Sequence, residues 1–253
     1  MGQVDGREDA PETSVVILCY REEQYVPQLV ASVEAEVQRL GVSYEIVLVA
    51  NYVAGDDDQT PRITSEMAKG SPRIKVVAQP KEGMMGWDMR SGFEASTGRV
   101  LAVIDGDGQF PASDIRRVYR ELLARNLDLC QTYRVRREDG WGRVIVSRVY
   151  NIIFRLLFPG TGLHDINAKP KVMTRDAYQS FRLSSTDWFI DAEIVIQARR
   201  NKLRLGEISS VFGKGRGRQS FVNTATVLEF IKNLIVFRVR ETLDRWRGYP
   251  GPV

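Results

Sequence analysis

One histidine and two cysteines are all that this chain of 253 residues holds of those types. A lone imidazole, His164, leaves little of the usual equipment for acyl transfer or for deprotonating a hydroxyl. His164 reads as a loop residue rather than a base. Cys19 and Cys130 both fall in apolar runs, which implies buried free thiols in a reducing compartment and excludes a disulfide framework. No apolar run reaches the ~18 residues needed to span a bilayer. Met1 to Glu12 is polar and acidic, with no signal-peptide pattern. The expectation is a cytoplasmic protein, or one peripheral on the cytosolic face of a membrane. No G-x-G-x-x-G follows the first apolar strand, which disfavours a dinucleotide oxidoreductase. Internal repeats and Pro- or Ser-rich linkers are absent too, so the chain reads as one domain.

Charge is present and unevenly spread. The net charge is +4, with Arg and Lys crowding Arg134 to Arg155 and Lys214 to Arg247. A basic second half suits an anionic partner such as phosphate or an acidic membrane surface. The first half alternates short apolar runs with helical spacing. Strands are expected at Ser14–Cys19, Tyr44–Ala50, Arg73–Ala78, Arg99–Ile104 and Leu127–Tyr133. Helices are expected at Glu22–Leu40, Thr60–Lys69, Gly86–Ser96 and Ala112–Arg125. That order predicts βαβ units and a parallel sheet covered on both faces. Later come an Arg- and aromatic-rich helix (Gly142–Phe158), a strand or hairpin arm (Asp165–Thr174), a helix (Asp191–Arg200) and a strand (Leu203–Phe212). A basic glycine-rich loop (Gly213–Ser220) and a long amphipathic helix (Thr224–Trp246) close the series.

Ligands of open α/β sheets bind beyond the carboxyl ends of the strands. Those ends here carry Tyr20, Glu22, Asn51, Lys81, Glu82, Asp105, Asp107 and Arg134. "VLAVIDGDGQFP" is the sharpest stretch: a buried strand running into two carboxylates one residue apart. Asp105 and Asp107 can bridge Mg²⁺ or Mn²⁺ to a diphosphate, because hard cations take oxygen ligands and share them with phosphates. Gln109 adds a neutral oxygen, and Gly106 and Gly108 let backbone approach closely. The competing reading, a solvated turn, rests on the commonness of Asp and Gly in turns.

"SVVILCYREEQYVPQLV" and "GFEASTGRVLAVIDGDGQFPASDI" resemble the opening and central segments of glycosyltransferase family 2. "SRVYN", "HDINAKPKVMTRDAY" and "WFIDAEIVIQARRNKLRLGEI" are similar to its polyprenyl-phosphate members of the dolichyl-phosphate mannosyltransferase type. The resemblance implies an α/β GT-A (Rossmann-like) fold, mainly parallel, with C-terminal amphipathic helices. It divides the chain into a flexible tail (1–13), a GT-A domain (14–237) and a basic extension (238–253). Within the domain, 14–133 would bind the nucleotide-sugar and 134–237 the acceptor.

The activity implied is metal-dependent inverting transfer of a sugar to a dolichyl or undecaprenyl phosphate. The cofactor implied is Mg²⁺ or Mn²⁺; the partners are the donor, the lipid phosphate and a membrane surface, with no nucleic acid. Tyr20, Glu22, Asn51, Lys81, Asp88, Arg90 and Asp105 are expected at the donor. Asp105, Asp107 and Gln109 are expected at the metal. Arg134, Arg143, Ser147, Lys169 and Lys171 are expected at the acceptor phosphate. Asp105, Asp107, Asp165 and Asp191 are the catalytic candidates, the last two as bases should the acceptor be a hydroxyl.

Two departures stand out. Arg21 replaces the family's usual Asn. Ala50 and Asn51 stand where a second strand usually ends in Asp-Asp, while Asp56 to Asp58 lie downstream and are expected to cap the next helix. The sugar, the base (GDP or UDP), the lipid length and the oligomeric state stay open. So do a saccharide or small-molecule acceptor and a non-catalytic nucleotide-sugar-binding role. Membrane contact is expected through Val144–Phe158 and Val227–Trp246, with Phe154, Phe158, Trp246 and Tyr249 at the surface beside Arg238, Arg240, Arg245 and Arg247.

Overall fold

A computed structural model describes residues 10–137, 141–213 and 224–246, with the side chains of 136–137, 141–143, 224–230 and 244–246 outside that description. The tail, the basic loop after Gly213 and the chain beyond Trp246 therefore lie outside it as well. In chain order the first half contains β1 (Thr13–Leu18), α1 (Val26–Gln38), β2 (Tyr44–Val49), α2 (Thr60–Lys69), β3 (Ile74–Val77), α3 (Met85–Ala95), β4 (Val100–Asp105) and α4 (Ser113–Ala124). The second half contains β5 (Leu129–Arg137), α5 (Trp141–Leu157), β6 (Lys171–Thr174), α6 (Arg175–Gln179), α7 (Ile190–Arg200), β7 (Leu205–Phe212) and α8 (Thr224–Trp246).

Among the described residues the strands form one seven-stranded sheet in the order β3-β2-β1-β4-β6-β5-β7. Only β6 runs against its neighbours. Strand β1 shows why both faces are covered. Val15 and Ile17 enter one core with α1 and α4, while Val16 and Leu18 enter the other with α3 and α7. Side chains alternate across a strand, so an unbroken apolar run such as residues 15–18 must be buried on both faces. A third cluster joins α5, α7 and α8 through Tyr150, Phe154, Phe158, Phe189 and Leu234.

Three expectations change. Helix α1 begins at Val26, not Glu22, with Pro27 in its first turn. Proline has no N–H to give, which costs nothing only at a helix start. The Asp165–Thr174 arm shrinks to Lys171–Thr174, since Pro170 cannot donate to a ladder. Phe154 and Phe158 are fully buried, so the aromatic end of α5 is core rather than surface. The apolar residues that α5 exposes are Ile145, Val146, Val149, Ile152 and Leu156.

Gly106 shows how tightly β1 and β4 meet. Its N–H donates to the Leu18 carbonyl at 2.9 Å, and a Cβ there would stand 2.3 Å from that oxygen. Gly106→Ala should therefore cost roughly 1–3 kcal/mol, the usual scale of overpacking. Gly70→Ala, whose added methyl meets nothing closer than 3.4 Å, is the control. Urea denaturation of both variants measures the difference, and equal midpoints would refute the close-approach argument.

Candidate functional site

Strand β4 delivers Asp105 at its last position, and Gly108 turns the chain with φ +67°. The Gln109 N–H donates to Asp107 Oδ1 at 2.9 Å, closing a tight loop around the second carboxylate. Burial pushes the Asp107 carboxyl up to about 7, reinforced by the nearby charges of Asp105 and Glu22. Two carboxylates that raise each other's proton affinity suit a cation. Among the described residues no group of three or more His, Cys, Asp or Glu is placed to hold a metal alone. The donor set therefore fits a hard divalent ion that brings phosphate oxygens with it. Gln109, expected as a further ligand, uses its side-chain nitrogen on the Gly213 carbonyl at 3.2 Å. Its backbone carbonyl accepts from the Gly213 N–H at 2.9 Å. Gln109 thus clamps the Asp segment to the residue that opens the basic loop.

Behind Asp105 lies a buried cluster. Lys169 Nζ is 2.8 Å from Asp191 Oδ2 and 3.4 Å from Asp105 Oδ1. Lys171 Nζ is 3.0 Å from Asp191 Oδ1 and donates to the carbonyls of Ile166 and Ala168 at 2.7 and 2.8 Å. Burial lowers the Lys169 ammonium's pKa, but Asp105 and Asp191 outweigh it and push it up to about 12. Burial alone would raise the Asp191 carboxyl, and the two lysines more than reverse that. The expected phosphate contact of Lys171 is not what the structure places here: three internal acceptors surround its ammonium, and the residue is fully buried. Lys169 is likewise turned inward, toward Asp105 rather than the acceptor side.

The residues expected at the acceptor phosphate lie around β5. Arg134 grips Asp165 through Nε at 2.5 Å and Nη2 at 2.7 Å, with its guanidinium 5.1 Å from the Phe212 ring centroid. Strand β5 does not end at Tyr133 as expected. It continues to Arg137 with a bulge between Arg134 and Arg136, and such bulges re-aim side chains. Gln131 holds the Asp165 carbonyl at 2.7 Å. Helix α5 anchors the same loop: Asn151 accepts from the Ile166 N–H at 3.0 Å and donates to the Ser147 carbonyl at 2.9 Å. Ser147 therefore faces this loop from one helical turn away. The Arg143 side chain lies outside the described residues. Asn151 is the residue of "SRVYN" that the sequence leaves unassigned, because its partner Ile166 is fifteen residues away.

The nucleoside end differs from expectation. Asn51 is fully buried, donating to Asp88 and Ser91, both at 3.0 Å, and accepting from the Gln79 N–H at 3.1 Å. Its side chain thereby holds Asp88 in place. Asp88 in turn pairs with Lys81; burial raises its carboxyl despite that lysine. Lys81 Nζ sits 4.3 Å from the Tyr20 ring centroid. Arg90 points elsewhere, to the Ser184 carbonyl at 3.2 Å. Glu22 is buried beside this group. Asp58 accepts from the Thr60 N–H at 2.9 Å, but the N-cap of α2 is Gln59 and makes no side-chain capping bond, so the acidic trio does not cap this helix as expected. Arg21, at φ +56°, pairs with Asp56 at 2.5 Å.

The description Glycosyl transferase family 2 matches residues 14–187. The chain belongs to glycosyl transferase family 2. Undecaprenyl-phosphate 4-deoxy-4-formamido-L-arabinose transferase of Sodalis glossinidius is 31% identical over 57% of this chain and 43% of its own length. The protein of the same name from Enterobacter sp. (strain 638) is 32% identical over 60% of this chain and 44% of its own. The chain thus spans less than half the length of the curated relatives it matches.

Glucosyl-3-phosphoglycerate synthase from Mycobacterium tuberculosis, solved with UDP, aligns with a TM-score of 0.70 at 16% identity, covering 94% of this chain and 85% of that one. Its complex with Mn²⁺, UDP-glucose and phosphoglyceric acid also gives 0.70 at 16%, over 92% and 82%. At that identity the likeness is one of fold: a GT-A arrangement, as the sequence implied.

For this family 2 chain the buried Asp191 is a structural test case. Asp191→Asn would leave two enclosed ammoniums without their carboxylate, costing about 3–5 kcal/mol. The sign with pH follows from the lowered carboxyl. Its contribution is complete above the unfolded value of 3.8 and fades as pH falls below it toward the folded value. Urea denaturation from pH 7 to pH 3 should show wild type losing this component and Asp191→Asn lacking it throughout. An unchanged stability at pH 7 would contradict the pairing.

Proposed function

We propose that the chain is a metal-dependent, inverting glycosyltransferase that moves a sugar from a nucleotide diphosphate to a polyprenyl phosphate at the cytosolic face of a membrane. The observation that carries this reading is the state of the candidate bases. Asp165 is held by the Arg134 fork, and Asp191 is held ionised between two lysines. A hydroxyl acceptor needs a base near neutral pH. A phosphate acceptor is already an anion and needs only to be held in line with the anomeric carbon. Arg134, oriented by Asp165, with Ser147 and Arg143 on the adjoining helix, forms the acceptor-phosphate side. Tyr20, Lys81 and Glu22 form the nucleoside side. Asp105 and Asp107 would hold Mg²⁺ or Mn²⁺, which when bound neutralises charge on the departing diphosphate.

The related undecaprenyl-phosphate transferases support an undecaprenyl-phosphate acceptor, and the structural neighbour solved with Mn²⁺ and UDP-glucose supports a UDP-sugar with Mn²⁺. The decisive assay presents UDP- and GDP-sugars with undecaprenyl or dolichyl phosphate and reads glycolipid formation. Asp107→Ala and EDTA should each abolish transfer. Arg134→Gln should raise the KM for lipid phosphate about ten- to a hundredfold, as expected from losing a charge-assisted contact of roughly 1.5–3 kcal/mol, with little change for donor. Full turnover in EDTA, or transfer to a soluble acceptor alone, would overturn the proposal.

Membrane contact rests on the exposed faces of α5 and α8. Ile145, Val149, Ile152 and Leu156 recur at helical spacing, with Leu156 77% exposed. Ile235, Val239 and Leu243 repeat the pattern on α8. Exposed Arg148, Arg155, Lys232 and Arg240 flank these stripes. Arg238, expected among the surface charges, is paired with Glu241 at 2.7 Å. No helix among the described residues is long and apolar enough to cross a membrane. An amphipathic face with basic flanks binds an anionic surface, each charge adding about 1 kcal/mol. Binding to anionic liposomes should weaken with salt and fall sharply in a Val149→Asp, Leu156→Asp variant. A protein that floats free of such liposomes at low ionic strength has no such face.

A further inference from the structure

Lys169 places a fixed positive charge against a carboxylate of the diphosphate site. Its stem is enclosed, with 2% of the side chain exposed. Its ammonium is held by Asp191 Oδ2 at 2.8 Å and reaches Asp105 Oδ1 at 3.4 Å and Met85 Sδ at 3.4 Å. The backbone is pinned as well: Thr132 Oγ1 donates to the Lys169 carbonyl at 2.5 Å. Asp191 is held in turn by Lys171 at 3.0 Å.

Charge counting shows what this does. Asp105, Asp107 and Asp191 face Lys169 and Lys171, so one carboxylate is in excess before any ligand arrives, with Glu22 adding to it at Asp107. A divalent ion added alone would bring two positive charges beside an ammonium. A nucleotide diphosphate supplies the negative charge that makes room for it.

We propose that Lys169 is a positioning residue that makes divalent-cation binding at Asp105 and Asp107 conditional on the nucleotide diphosphate. It holds Asp105 in place, and it repels the free cation until the donor's phosphates are present. This rests on the reading of Asp105 and Asp107 as the metal segment. By linkage, the factor by which nucleotide tightens the cation is the factor by which cation tightens the nucleotide.

The test is a Mn²⁺ titration of the full chain by EPR, with and without UDP or GDP. Wild type should bind Mn²⁺ weakly alone and at least tenfold more tightly with nucleotide. Lys169→Gln, which keeps a donor to Asp191, should tighten nucleotide-free Mn²⁺ by about tenfold, the scale on which one neighbouring charge alters a carboxylate's affinity for a cation. Its coupling to nucleotide should shrink by the same factor, and Lys169→Arg should restore wild-type behaviour. A merely structural role predicts looser Mn²⁺ binding on substitution, not tighter. Unchanged or weakened nucleotide-free binding in folded Lys169→Gln overturns the inference. So does a wild type that binds Mn²⁺ equally with and without nucleotide, a result that needs no variant to fold. Asp105→Asn separates the two layers. If it keeps nucleotide-dependent Mn²⁺ binding, the metal segment itself is misread. If it loses that binding while Lys169→Gln behaves as wild type, only the role of Lys169 fails.

Discussion

A fully buried carboxylate, Asp191, is the constraint on which the rest of the site depends. It enters from the first turn of α7 and receives one lysine on each oxygen. Burying three charges is expensive, and such clusters rarely add net stability. What this one supplies is registry. Lys171 also gathers the carbonyls of the loop that precedes it, which fixes where β6 begins and where Asp165 can meet Arg134. Through Lys169 the same carboxylate reaches the end of β4. The end of β4 and the Arg134–Asp165 pair are thus referenced to a single atom group rather than to each other.

The loop before α7 extends this linkage. The N–H groups of Ser184 and Ser185 donate to the Glu193 carboxylate at 3.0 and 2.8 Å. The start of α3 is tied to the same loop through Thr186 and Asp187 carbonyls, and Asn233 of α8 donates to Asp187 at 2.9 Å. A helix that carries an exposed apolar stripe is therefore bonded to the segment that supports the nucleotide side.

Much of this fold was legible because its strands are near-continuous apolar runs bounded by turns, a pattern that buries on both faces whatever the tertiary detail. Asp105 and Asp107 were legible for the same reason: a strand end is a local property. Beyond element ends such as the start of α1, what stayed hidden in the sequence is pairing. Asn51 has the chemistry of a ligand contact, yet its partner Asp88 is 37 residues away. Lys169 and Lys171 look like phosphate cations until Asp191 folds onto them. Phe154 and Phe158 stand at the polar end of a helix, and only the docking of α7 and α8 makes them core. Helical spacing predicted which residues share a face, but not which face would meet protein.

The reversed strand β6 has a consequence for how the chain is made. Strand β5 has β6 on one side and β7 on the other, and both lie downstream of it. A nascent chain therefore produces β1 to β4 as a set that can pair at once, apart from the β4 edge that awaits β6. It then extrudes a nine-residue strand with neither neighbour yet synthesised. Open strand edges of that kind invite pairing with other chains, and β5 keeps one until Phe212 has emerged. Helix α4, which packs on β5 and is made just before it, can shelter one face but not the edges. Recovery of soluble protein should thus be governed by translation speed between β5 and β7 more than by the final stability of the sheet.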